Sequence, residues 1–194
     1  MVKIAFSGIP LSGKTSLLAE VKKILALKYH VEEAEDIYRR NPFDQDQKGG
    51  FISQFFFMTS QINEENIRAL ANPDLLLCDR SVLDQWVHWQ KYVSSKPSDQ
   101  KLEEKNRLLK QIYQFWIRTY QLIFNIRFDI QALSTRMAPQ PVLPFGSDEI
   151  KALDEIIIKC IQRDQIKTVE IWNNQTIDDG AQQIVSQISA HKFI

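Results

Sequence analysis

The chain has 194 residues, 44% of them hydrophobic, and its 24 basic side chains are balanced by 24 acidic ones. That is enough apolar material for one substantial core, and the zero formal charge excludes a globally basic nucleic-acid binder and an acidic disordered tail. Cys78 and Cys160 belong to no CxxC or Cys/His cluster, and no apolar run approaches the ~20 residues of a membrane span, so the expectation is a single domain in a reducing cytoplasm acting on a small molecule.

Val2 to Ser7 is a short apolar run that stops at Gly8, too early for the apolar segment of a signal peptide, and reads as a buried strand followed by a tight turn. From Lys14 to Tyr29, Leu17, Leu18, Val21, Ile24, Leu25 and Leu27 recur at helical spacing. Phe51 to Phe57 forms an aromatic helical segment with one amide, Gln54. The turn Asn72-Pro73-Asp74 announces a compact buried strand, Leu75 to Cys78, with Asp79 at its tip. Asp84 to Thr119 is helical apart from Ser94 to Pro97 and predicts a helical hairpin. Tyr120 to Arg127 and Ile166 to Trp172 are further strands, separated by a helix over Asp148 to Arg163, and Asp178 to Ser189 closes the chain as an amphipathic helix. Met137 to Gly146, with three prolines, is the most loop-like stretch. Strands alternating with helices imply crossover units, hence a three-layer α/β fold: a parallel sheet with helices on both faces.

Gly8-Ile9-Pro10-Leu11-Ser12-Gly13-Lys14-Thr15 matches G-x-x-x-x-G-K-[ST] between a predicted strand and a predicted helix, the context that the motif needs. Glycines let successive backbone N–H groups curl around a phosphate, and the helix that begins with Lys14, Thr15 and Ser16 adds its positive N-terminal dipole. The expected ligand is ATP or GTP with Mg²⁺: Lys14 bridges the β- and γ-phosphates and Thr15 offers its hydroxyl to the metal. Asp79, at the end of LLLCD, is placed as a second metal-linked residue, with helix capping near Ser81 as its structural alternative. Leu11 stands at a position that a further glycine often fills.

GIPLSGKT followed by LLLCDRSVLDQ resembles the small-molecule P-loop kinases, in particular the deoxynucleoside, thymidylate and nicotinamide riboside kinase-like group. The resemblance implies an ATP-dependent phosphotransferase whose acceptor is a nucleoside, nucleotide or similar metabolite, with Arg80 of Asp-Arg-Ser reaching toward phosphates. It also implies a base at the end of the second strand, within Val31 to Asp36. Glu35 is the choice there and Glu33 the second candidate, against an exposed acidic helix start. By the same resemblance Gln54 is a substrate-side residue, weighed against an aromatic core. The family's arginine-rich lid is thin in this chain, with Arg127 and Arg136 alone about a lid-like loop over 128–147. That thinness keeps open a nucleotide-dependent switch or regulatory ATPase that engages a protein partner.

His30, His88 and His191 have no partner at ligand spacing, so no metal beyond Mg²⁺ is expected. Trp86, Trp89 and Trp116 serve packing or a homodimer face, with packing the expectation.

Overall fold

The computed structural model describes residues 1–43, 50–129, 146–174 and 176–191, with only the backbone of Arg39. The elements run β1 (Val2–Ser7), α1 (Lys14–Leu25), β2 (Val31–Ala34), a 3-10 turn (Ile37–Arg40), α2 (Phe51–Ala69), β3 (Leu75–Asp79), α3 (Val82–Ser94), α4 (Gln100–Trp116), a second 3-10 turn (Ile117–Thr119), β4 (Leu122–Arg127), α5 (Ser147–Arg163), β5 (Thr168–Trp172) and α6 (Ile177–Ala190). The strands form one parallel sheet in the order β2-β3-β1-β4-β5.

Strand alternation sorts the core into two layers. Ile4 and Phe6 of β1 face Leu17, Leu18 and Val21 of α1 and Ile184 and Ile188 of α6, whereas Ala5 faces Val82, Trp86 and Val87 of α3 and Ile150 and Leu153 of α5. The expected three layers are present. Trp86 stacks on Tyr113 at 5.1 Å and Trp89 is fully buried, so these indoles pack the core. Three expected elements are shorter than read from sequence, β5 among them because it begins at Thr168 and not at Ile166. The first helix ends at Leu25, leaving Leu27 84% exposed, and β4 begins at Leu122, because Tyr120 is drawn into a buried polar cluster.

That cluster centres on Glu65 of α2. Its carboxylate accepts from Lys3 Nζ (3.0 Å), Trp116 Nε1 (2.8 Å), Tyr120 Oη (2.6 Å) and Gln61 Nε2 (3.1 Å), while Lys3 Nζ also donates to Thr119 Oγ1 (2.8 Å). It fastens β1, α2 and the end of α4 at the N-terminal edge of the sheet. No helix among the described residues is long and apolar enough to cross a membrane.

Candidate functional site

Because β1 lies between β3 and β4, its C-terminal end opens into the loop at the centre of the sheet. Gly8 has φ 143°, and a Cβ there would sit 2.3 Å from the carbonyl oxygen of Ile126 on β4, so only glycine lets the chain leave β1 at this angle. Leu11 is held at φ 66° with its side chain 41% exposed, a left-handed conformation that costs a branched residue about 1–2 kcal/mol. The position is therefore strained, beyond the expectation of a loop that merely lacks one glycine. Asp84, in the first turn of α3, accepts the Gly8 N–H through Oδ1 (3.0 Å) and the Ser81 N–H through Oδ2 (2.9 Å). Ser81 and Asp84 together form the capping box of α3, so Asp79 is not the helix cap.

The ammonium of Lys14 donates to the carbonyls of Gly8 (2.9 Å) and Ile9 (2.7 Å) and to Ser12 Oγ (3.3 Å). Burial, followed by the nearby Arg80 charge, lowers its pKa to about 8. Ile9 and Pro10 of the same loop are buried, Ile9 in the hydrophobic core, and Ser16 follows in the first turn of α1.

Adjacency of β1 and β3 brings the two expected metal-side residues together: Thr15 Oγ1 donates to Asp79 Oδ2 over 2.6 Å. Burial raises the Asp79 carboxyl above its usual range, and the bond from Thr15 works against that. The donor set fits Mg²⁺, which takes one or two protein oxygens and completes its octahedron with water and phosphate, and among the described residues no cluster of three acidic or sulfur or imidazole ligands could hold a metal without a ligand's help.

On the β2 side the acidic residues have different surroundings. Glu35 is exposed and pairs with Arg40 at 3.2 Å, and Glu33 pairs with Lys22 at 3.0 Å. The carboxylate turned toward the loop is Asp36: Oδ2 accepts from Arg80 Nε over 2.7 Å and Oδ1 from the Tyr38 N–H over 2.9 Å. The physical reason is that β2 stops at Ala34, and Asp36 caps the following 3-10 turn, which fixes its side chain independently of strand alternation. Arg80 itself has φ 85°, its NH1 lies 3.9 Å from Asp84 Oδ1, and its guanidinium sits over the Tyr38 ring at 5.0 Å. Burial opposes the charge on Arg80, but Asp36 and Asp84 outweigh it and hold the pKa above the ordinary arginine range.

Tyr38 stacks on Phe57 at 4.2 Å and is hydrogen-bonded with Gln54. Gln54 is buried, and its Oε1 has no hydrogen-bond partner among the described residues; Gln85 of α3 is fully buried, and neither of its amide atoms is partnered among them. Sequence reasoning missed Asp36, Asp84 and Gln85. The signal for Gln85 is a neutral amide on the buried face of an otherwise apolar helix. His88 faces Tyr38 at 5.8 Å, and desolvation together with the charges of Arg80, Lys91 and Lys14 pushes it down to about 3, so it stays neutral inside the protein rather than at the surface.

Arg127 does not behave as a lid arginine. It donates to Asp154 (2.6 and 3.2 Å) and Glu170 (2.9 Å) and lies 4.5 Å from the Trp172 ring centre. Arg136 and the lid-like loop fall mostly outside the described residues. A cavity of about 550 Å³ opens at the opposite, N-terminal edge of the sheet, lined by Tyr113, Arg118, Tyr120, Arg163 and Lys167, and takes in none of the motif residues.

No protein of curated function matches the sequence significantly. Solved structures match in fold: deoxyadenosine kinase from M. mycoides with bound dCTP (TM-score 0.72), with bound dATP (0.71), and with the products dCMP and a flexible dCDP (0.74). Each is 14% identical to this chain, and each match covers 97% of this chain and 100% of the kinase. At that identity the likeness is one of fold, and the fold is that of a P-loop kinase. A family model described as an AAA domain matches residues 3–178, which include the loop, Asp36, Asp79 and Arg80. The chain therefore belongs to that AAA-domain family and carries the P-loop kinase fold.

Proposed function

We propose that the chain is an ATP-dependent phosphotransferase whose acceptor is the hydroxyl of a nucleoside or a similar small metabolite. The observation that carries this reading is the order β2-β3-β1, which sets Asp36, Asp79 and the phosphate loop at the C-terminal ends of three neighbouring strands. Neighbouring strands are about 4.8 Å apart, so an acceptor carboxylate and a phosphate cradle stand roughly 10 Å from each other across a metal-side aspartate. That leaves room between them for an acceptor hydroxyl and the transferring phosphoryl group.

In this reading the loop N–H groups and Lys14 hold the phosphates of the donor. Thr15 and Asp79 would hold Mg²⁺, which would supply charge neutralisation when bound. Asp36 takes the proton of the acceptor hydroxyl, replacing Glu35 in that role, and Arg80 beside it faces the transferring group. Gln54 and Gln85, with hydrogen-bonding capacity unspent, read the polar edge of the acceptor. M. mycoides deoxyadenosine kinase, solved with deoxynucleotides bound, lends the acceptor class. The residues stand for ATP and GTP alike.

The test is transfer of labelled γ-phosphate from Mg·ATP to a panel of deoxynucleosides, nucleosides, nucleotides and pyridine ribosides, with Lys14→Ala as control. Transfer to one class, abolished by Lys14→Ala, supports the reading. ATP binding with no transfer to any acceptor sinks it and leaves the regulatory ATPase.

A further inference from the structure

We propose that Asn173 is a positioning residue of the phosphate loop: its carboxamide fixes the Ser12–Gly13 peptide so that the Gly13 N–H is presented to bound phosphate. The inference rests on the reading of this loop as a nucleotide-phosphate site.

Asn173 follows β5 directly. Its own N–H donates to the Arg127 carbonyl over 2.7 Å, continuing the β4–β5 ladder by one step, so the residue is anchored to the sheet and not to the loop it touches. From that anchor Nδ2 donates to the carbonyl oxygen of Ser12 over 2.8 Å, across 161 residues of sequence, and the side chain is almost wholly buried. Since a carbonyl oxygen can only accept, the donor end of the amide is the end facing Ser12.

A trans peptide is planar, and its C=O and following N–H point in opposite directions. Holding the Ser12 oxygen against β5 therefore turns the Gly13 N–H the other way, into the concavity formed by Gly8 to Thr15. Without the bond, the Ser12–Gly13 plane can rotate, because Gly13 is the one position there with no side chain to restrict it. Gly13 also has φ 85°, and a Cβ on it would lie 2.3 Å from Asn173 Nδ2. The amide of Asn173 occupies the volume that a side chain at 13 would take. The glycine of the motif is thus required twice, once for its backbone angle and once to admit this strut.

The strut is attached to a different strand from the one that delivers the loop. β1 brings the loop to the centre of the sheet, and β5, two strands away, fixes one of its donors. Nucleotide affinity should therefore depend on a residue outside the motif that contributes no charge.

The experiment compares wild type, Asn173→Ala and Asn173→Asp by calorimetric titration with Mg²⁺ and a non-hydrolysable ATP analogue, with thermal melting to confirm that each variant is folded. Asn173→Ala should weaken binding about tenfold, the scale of one orphaned buried acceptor, and Asn173→Asp at least as much because a carboxylate cannot donate to the Ser12 carbonyl. In amide-resolved NMR, the ligand-induced shift of the Gly13 resonance should shrink more than those of Lys14 and Thr15, a change that mere loosening of β5 would spread evenly. Gly13→Ala reaches the same bond from the other side without altering β5, and combined with Asn173→Ala it should cost less than the two separate losses added. Wild-type affinity together with an unchanged Gly13 shift in folded Asn173→Ala overturns the positioning role and leaves the kinase reading intact. Failure of the wild-type chain to bind the analogue at all overturns both.

Discussion

Arg80 and Asp36 form an ion pair of 2.7 Å at the mouth of the site, and both side chains are only 13% exposed. A pair this sheltered holds its geometry, so the carboxylate is aimed before any acceptor arrives. Asp36→Asn should lower turnover by about 10²–10⁴-fold, the range of general-base loss, with the affinity for Mg·ATP analogue nearly unchanged. Glu35→Gln should leave turnover close to wild type, since its exposed pair with Arg40 contributes little. Steady-state kinetics decide it, and the reverse pattern would restore Glu35 as the base.

The buried ammonium of Lys14 links nucleotide binding to pH. Its pKa in the folded protein is about 8 against an ordinary 10.5, lowered first by burial and then by Arg80. Phosphate binding requires the charged form, so affinity should be level below pH 8 and fall above it, approaching tenfold per pH unit until the pKa of the complex is reached. The stability of the ligand-free fold runs the other way. Between about 8 and 10.5 the unfolded chain binds the extra proton, so stability gains as pH rises through that window. Titrations from pH 7 to 9.5 in buffers of different ionisation heat would also reveal proton uptake above pH 8. A flat affinity profile in wild type would show that Lys14 stays charged throughout.

Much of the architecture was legible because it rests on short-range pattern. LLLCD reads as a buried strand from its own five residues, and the loop reads from spacing plus flanking elements. What failed to show was set by direction or by distance along the chain. The choice between Glu35 and Asp36 depends on where β2 ends and on a cap at Asp36, not on the strand period that a sequence displays. Arg127 looked available because its partners, Asp154 and Glu170, lie 27 and 43 residues away. Asp84 hid behind a more familiar neighbour, as Asp-Arg-Ser drew notice to the strand end while the residue holding Gly8 sat three positions after Ser81.

Gln85 carries two buried polar atoms that have no partner among the described residues, and each such orphan costs about 1–3 kcal/mol in the ligand-free fold. Gln85→Leu keeps the volume and removes both orphans. Its midpoint in urea should rise, corresponding to roughly 1–2 kcal/mol, while kcat/KM for the acceptor drops at least tenfold. An unstable variant with normal turnover would mean that the amide supports the core and not the ligand.

Leu11 offers the loop variant expected to gain. Relief of its φ 66° strain is worth about 1–2 kcal/mol, and the added freedom of glycine in the unfolded chain takes back about 0.5–1 kcal/mol. Because the side chain is 41% exposed, little packing is lost. Leu11→Gly should therefore match or exceed wild-type stability by up to about 1.5 kcal/mol in denaturant unfolding. A loss above that size would show that Leu11 packs against something that its exposure conceals.

At the far edge of the sheet, Glu65 tests stability apart from the chemistry. Its carboxylate accepts four donors from α2, β1 and the end of α4, and Lys3 depends on it for charge balance while lying under the rings of Trp116 (4.4 Å) and Tyr120 (5.1 Å). Glu65→Gln keeps the shape but places an NH₂ against donors and leaves the Lys3 ammonium without its counter-charge. Removing one member of a buried pair costs about 3–5 kcal/mol, and that is the expected loss in urea unfolding. The double variant Lys3→Met, Glu65→Leu removes both charges and should recover a large part of it, although Trp116, Tyr120 and Gln61 then lose their acceptor and keep the recovery incomplete. The phosphate loop lies at the other end of β1, so nucleotide affinity of the folded fraction should stay at the wild-type value in both variants. Equal stability of Glu65→Gln and wild type would mean that solvent reaches the cluster, and that the placement of α2 rests on its apolar contacts in the core, those of Met58 and Ile62 among them.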